Sequence, residues 1–157
     1  MKANIGITEK NTQAVANALA KTVADEFVLS VKTRNAHWNI EGADFHAMHL
    51  FFESQYNALD ETVDSVAERI RSLGHYAPGT LKEFLDLTSL TEKRGNKNSS
   101  ESFIKDLLGD HEAIIVELRE NINLFANKYN DAGTSDFITG LLESHEKMAW
   151  MLRAHLK

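Results

Sequence analysis

Residues 45–73 read FHAMHLFFESQYNALDETVDSVAERIRSL, and this stretch decides the fold. Phe45, Met48, Phe52, Leu59, Val63, Val66, Ile70 and Leu73 recur at steps of three, four and seven, the period of one helix face. The pattern predicts an unbroken helix from near Asp44 to Leu73-Gly74. Upstream, Thr8 suits a helix cap, and Val15, Leu19, Val23, Phe27 and Val31 carry the same period to about Trp38 before Gly42 breaks it. Downstream, residues 74–95 hold the only proline, Pro78, and one short amphipathic piece, Leu81 to Leu87. A polar loop, Glu92 to Asn98, leads to a helix capped by Asn98 or Ser99 that bears Phe103, Leu107, Ile114, Leu118, Ile122 and Phe125. Asn130-Asp131-Ala132-Gly133 turns the chain, and a last helix from about Ser135 presents Phe137, Leu141, Met148 and Leu152. No run alternates as a strand would. The expected architecture is all-α: a ferritin-like four-helix bundle with a short extra helix in a long crossover between the second and third long helices. Residues 1–157 form one domain with a short tail, 1–7. Gly109 and Gly140 fall inside helices, where close helix packing is their expected role.

Composition limits the function classes. The chain has 157 residues, 43% hydrophobic and 25% charged, enough to bury a core and too ordered in pattern for a disordered or collagen-like chain. No apolar run approaches the roughly 20 residues of a membrane helix. Without cysteine there is no disulfide framework, thiolate metal site or cysteine nucleophile. The start, Met1 to Gly6, lacks the apolar core of a secretory signal, so a cytoplasmic protein is expected. The formal charge of -6 has the wrong sign for a surface that grips phosphate backbones throughout.

Charge placement carries more than total charge. From Asn35 to Glu68 the chain holds Glu41, Asp44, Glu53, Asp60, Glu61, Asp64, Glu68 and three histidines, with no Lys or Arg. On the second helix His46, His49, Glu53, Asp60, Asp64 and Glu68 share one face beside the apolar stripe. Repeated carboxylates with imidazoles and no cation repel one another unless a cation arrives from outside. Carboxylate oxygen with neutral imidazole nitrogen suits iron, manganese or zinc better than calcium or magnesium. Yet His49 and Asp64 lie fifteen residues apart, about 22 Å along one helix, so one ion cannot join them. His49 with Glu53 is one i,i+4 pair and Asp64 with Glu68 another, while His37 can reach the first pair across the turn 39–44. Two antiparallel copies of this helix about a two-fold axis would join the imidazole pair of one subunit to the carboxylate pair of its twin. The spacing therefore argues for an oligomer.

At these residues the sequence resembles the Dps proteins or mini-ferritins, the DNA-binding proteins from starved cells. Asn35-Ala36-His37-Trp38-Asn39 with Gly42, Phe45, His49, Glu53, Asp64 and Ala67-Glu68-Arg69 fit that family's His-x11-His-x3-(Asp/Glu)-x10-Asp-x3-Glu pattern. The likeness extends to Trp150-Met151-Leu152-Arg153-Ala154-His155-Leu156 and is nearest the neutrophil-activating branch. It implies a hollow homo-dodecamer with ferroxidase centres at two-fold interfaces, His37, His49 and Glu53 from one subunit facing Asp64 and Glu68 from the other. Iron is then the metal: Fe(II) is oxidised, preferentially by hydrogen peroxide, and Fe(III) is stored in the cavity as protection against oxidative stress. Glu53 stands where many members have Asp. No Glu-x-x-His occurs in the chain, which speaks against ordinary ferritins with a site inside one bundle.

The surrounding residues take lesser parts. Trp38 adjoins His37 as a packing ring or a trap for stray oxidising equivalents, and Asp60 is an outer-shell carboxylate. His46 reads as a neighbour of the site, and His111 and His145 as interior histidines with satisfied hydrogen bonds. In the family, acidic residues early in the last helix line pores that draw iron inward, and Asp136 is the best match, ahead of Asp131 and Glu143. DNA-binding members commonly use a Lys-rich tail, whereas this N-terminus offers only Lys2 and Lys10. Weak DNA adhesion through Lys93, Arg94 and Lys97 remains as the alternative of a nucleoid-compacting protein without strong ferroxidase activity. A plain helical scaffold is the third reading.

Overall fold

The computed structural model describes residues 3–92 and 97–156. Five α-helices follow in chain order: α1 (Glu9–Asn39), α2 (Phe45–Ser72), α3 (Leu81–Leu87), α4 (Ser100–Asn123) and α5 (Ala132–Ala154). No strand occurs among the described residues. Two of the caps, Thr8 and Ser99, are those the sequence suggests. Thr8 Oγ1 accepts from Asn11 N–H at 3.3 Å, and Ser99 accepts from Ser102 N–H at 3.4 Å. α3 starts on a capping box between Thr80 and Glu83.

Paired contacts give the topology. Ser30 meets Asp60 and His37 meets His49, so α1 and α2 are antiparallel. Lys32 meets Asp106 and Lys21 meets Glu117, so α4 is also antiparallel to α1 and therefore parallel to α2. Glu112 with Arg153 and Arg119 with Glu146 set α5 antiparallel to α4. The parallel pair α2 and α4 requires the long crossover that carries α3. That crossover is fastened to α1 by Asp25, which accepts from the Thr88 hydroxyl at 2.6 Å and the Ser89 N–H at 2.7 Å, and by Lys32 donating to Thr91 O at 3.0 Å. Phe84 of α3 stacks on Phe27, ring centroids 4.4 Å apart.

The core runs the length of the bundle through Leu19, Leu29, Phe52, Leu59, Leu107, Leu118, Phe125 and Ile138, all sealed from solvent. Burying a side chain such as Phe52 contributes about 2–3 kcal/mol. No helix of the described residues is long and apolar enough to cross a membrane.

Three local readings need correction. The stripe of α1 does not face one partner: Phe27 and Val31 turn toward α3, and Val31 is exposed at the rim of a small apolar cleft with Leu81, Phe84 and Leu85. α5 begins at Ala132, three residues before the expected start, because Asp131 caps it by accepting from Thr134 N–H at 2.9 Å. A π-helical turn, Leu124–Lys128, follows α4 directly, and the chain reverses at Asn130, whose φ of 57° suits an Asn side chain. Gly109 and Gly140 face open space, where an added Cβ meets nothing within 4 Å, so close helix packing inside this chain is not their role. Lys2, Lys93 and Arg94 lie outside the described residues.

Candidate metal centre

The junction of α1 and α2 is built so that two imidazoles lock each other in place. Gly42, at φ +131°, turns the chain where a side-chain-bearing residue would be strained. The junction is held to the start of α4: Glu41 N–H donates to Asn98 O at 2.8 Å, and the Ser100 hydroxyl donates to Asp44. His37 sits in the last turn of α1 and His49 in the second turn of α2. Their rings stack with centroids 3.7 Å apart, 21° from parallel. His37 Nδ1 lies 2.8 Å from His49 O, and His49 Nδ1 lies 2.8 Å from His37 O. A carbonyl can only accept, so each Nδ1 carries the hydrogen. Each Nε2 then keeps its lone pair, the state in which imidazole binds a metal.

Glu53 lies one turn beyond His49 and is half-buried, with the Tyr56 hydroxyl 3.5 Å from its Oε1. Tyr56 also stands edge-on to His37, ring centroids 5.3 Å apart. Arg34 lies over the Tyr56 ring at 4.5 Å and grips Asp60 through both guanidinium nitrogens, with Nη1 3.0 Å from Oδ1. Ser30 donates to the same Asp60 oxygen at 2.7 Å. Partial burial opposes ionisation of Asp60, but the bonds from Arg34 and Ser30 outweigh it and hold the carboxyl below its ordinary value. The same pairing raises Arg34 further, chiefly through its hydrogen bond to Asp60.

Asp64 and Glu68 are exposed further along α2, with no side-chain partner among the described residues. Arg69, next to Glu68, points the other way and ties α2 to α5, donating from Nε to Thr134 Oγ1 at 2.9 Å and from Nη2 to Asp131 at 3.3 Å. One chain therefore brings together His37 and His49, places Glu53 one turn further along α2, and leaves Asp64 and Glu68 apart. Within a single chain no three His, Asp or Glu groups of the described residues converge to hold an ion. Trp38, Phe45 and Leu50 beside the histidines are 69%, 44% and 49% exposed. His46 is exposed, Asp136 is exposed on the second turn of α5, and His111 and His145 are sealed in the core.

Sequence reading missed Tyr56 and Arg34. Both carry a signal: Tyr56 is three residues after Glu53 and seven after His49, and Arg34 is three before His37, so both share the ligand face.

Comparison with known proteins follows the same line. Residues 16–157 match the model of the ferritin-like domain. A low temperature-induced protein of Nostoc sp. (strain PCC 7120) is 40% identical over 154 residues, 98% of this chain and 86% of the relative. DNA protection during starvation protein 2 of Bacillus anthracis is 36% identical over 142 residues, 90% of this chain and 96% of the relative. The crystal structure of the Dps protein from Vibrio cholerae O1, described as a member of a superfamily of ferritin-like diiron-carboxylate proteins, superposes with a TM-score of 0.92. It is 30% identical and covers 100% of this chain and 98% of its own.

Proposed function

We propose, because the chain belongs to the Dps family of ferritin-like proteins, that it oxidises Fe(II) at centres shared between subunits and stores the Fe(III) product inside a hollow dodecamer. The observation that carries this reading is the reciprocal lock of His37 and His49. It leaves two Nε2 lone pairs without a partner, while the carboxylates of Asp64 and Glu68 wait bare on the same helix about 22 Å away. A second copy, antiparallel about a two-fold axis, closes both gaps at once. The exposed Trp38, Phe45 and Leu50 around the histidines support a contact between copies there, since large apolar side chains clustered at a site favour being covered.

In this mechanism Fe(II) is the substrate. His37, His49 and Glu53 of one subunit bind it with Asp64 and Glu68 of the next, and the anionic oxygens favour the ferric product over the ferrous reactant. His37 and His49 are held at fixed orientation by each other's carbonyls, so little ordering remains to be done on binding. Glu53 reaches one methylene further than Asp. Trp38 and Asp60 lie outside the ligand set, Asp60 already being held by Arg34 and Ser30. Hydrogen peroxide is the preferred oxidant in this reading, and Asp136 at the start of α5 draws Fe(II) toward an entry pore by its charge. The protein works in the cytoplasm. The test is direct: the purified protein elutes as a dodecamer and consumes peroxide when Fe(II) is added. A monomer without Fe(II)-dependent peroxide consumption contradicts the proposal.

A second reading, adhesion of the particle to DNA, draws on the printed name of the Bacillus anthracis relative and on the Lys93, Arg94 and Lys97 loop. The net charge of -6 opposes it. A gel shift that survives moderate salt supports it, and no shift even at low salt argues against it.

A further inference from the structure

In the middle of the bundle, well inside the surface described above, three titratable side chains from three helices meet. Glu26 of α1, His145 of α5 and His111 of α4 have no solvent exposure. His145 Nε2 lies 2.7 Å from Glu26 Oε1, and His145 Nδ1 lies 2.9 Å from His111 Nδ1. Where Glu26 is ionised its carboxylate only accepts, and His145 donates to it. The other contact joins two nitrogens of the same kind. One hydrogen fits between them, with one ring donating and its partner accepting. Two imidazolium rings would set two N–H groups head to head. While this contact is closed, one of the two rings is neutral.

The surroundings offer a second charge no relief. His111 Nε2 and Glu26 Oε2 have no partner and no access to water. From α2 the core receives Gln55, which is uncharged and has both amide atoms unpartnered. From α1 the nearest buried cation, Lys32, is bound between Asp106 and Asp110 of α4. Asp25 is turned to the crossover and Asp131 to Arg69. Burial, reinforced by His145, keeps His111 well below the ordinary histidine value.

We propose that Glu26, His145 and His111 form an acid-operated latch joining α1, α4 and α5, closed while one ring is neutral and opened when both rings take a proton. In an opened or unfolded segment both histidines titrate near the usual value of about 6.5. Above that pH the open form carries neither proton. Below it the open form takes both protons and the closed form holds at most one, so stability is lost as pH falls, and the opening constant rises about tenfold or more per pH unit. The latch uses none of the residues of the surface centre, so its test and the test of iron oxidation stand apart.

The experiment is hydrogen–deuterium exchange of the assembled full-length protein from pH 7.5 to 5, corrected for intrinsic exchange. Peptides covering residues 105–117 and 139–151 are compared with a reference from 57–66. The expected result is a rise in opening of roughly tenfold or more per unit below about pH 6.5 in the α4 and α5 peptides, flattened in His111→Phe. A flat profile in the unmodified protein, or an unchanged slope in His111→Phe, overturns the proposal. Should His111→Phe fail to fold, solid-state spectra of the unmodified protein carrying 15N-labelled histidine give the answer. One core ring neutral at pH 5 supports the latch, and two charged rings in the folded chain overturn it.

Discussion

The bundle holds two pairs of histidines, and they are wired in opposite ways. At the junction of α1 and α2, His37 and His49 each donate to the other's backbone carbonyl, so the rings stack and both Nε2 atoms are left for something else. In the core, His111 and His145 bond ring to ring, and the outer nitrogen of His145 is spent on Glu26. The first pair spends backbone acceptors to keep its ligand atoms free, and the second spends its own nitrogens to hold three helices together. What separates the proposed metal ligands from the structural histidines here is which nitrogen the fold consumes.

That contrast predicts opposite outcomes for substitutions. The largest effect belongs to the core: Glu26→Ala strands the buried N–H of His145 and costs about 3 kcal/mol in chemical denaturation, because a buried pair is broken from one side. Next come His37→Ala and Asp64→Ala, each cutting Fe(II)-dependent peroxide consumption on the order of 100-fold while helical circular dichroism is kept. A core variant that kept its stability while losing activity would erase the distinction. Glu53→Asp sharpens it further, shortening the ligand by one methylene and changing Fe(II) affinity by about tenfold or less in a binding titration, with stability unchanged. The smallest effect is that of Arg34→Met, which frees Asp60 and lowers stability by under about 1 kcal/mol, since the pair is partly exposed to solvent. Because the folded carboxyl of Asp60 lies below its ordinary value near 4, this contribution is present above about pH 4 and fades as pH falls further. Denaturation curves of the variant and the parent at pH 7 and pH 3 measure it.

Much of this was readable in one dimension. Helical period placed α1, α2 and α4, and Thr8 and Ser99 mark starts that depend on hydrogen bonds within three residues. The two proposed half-sites rest on i,i+4 spacing, which on a helix is itself geometry. What escaped depends on partners remote in sequence or on backbone detail. Glu26 and His145 are 119 residues apart, and nothing local marks their meeting. The π-helical turn Leu124–Lys128 follows α4 with no Gly or Pro to mark it. Arg34 and Tyr56 were legible by spacing but hidden by type, since neither is a metal ligand. Gly109 and Gly140 suggested close packing, yet each opens onto space in the single chain.

The claim that each centre is shared between two subunits is tested most directly by mixing two inactive variants. Co-expressed His37→Ala and Asp64→Ala chains, carrying different tags and purified together, pair at random. A mixed pair then contains one centre with both substitutions and one with neither. About half of the pairs are mixed, so about a quarter of the centres are intact, and peroxide consumption returns to about a quarter of the unmodified level. Activity in the mixture no greater than in either variant alone would show that the ligands come from one chain, and would contradict the shared centre.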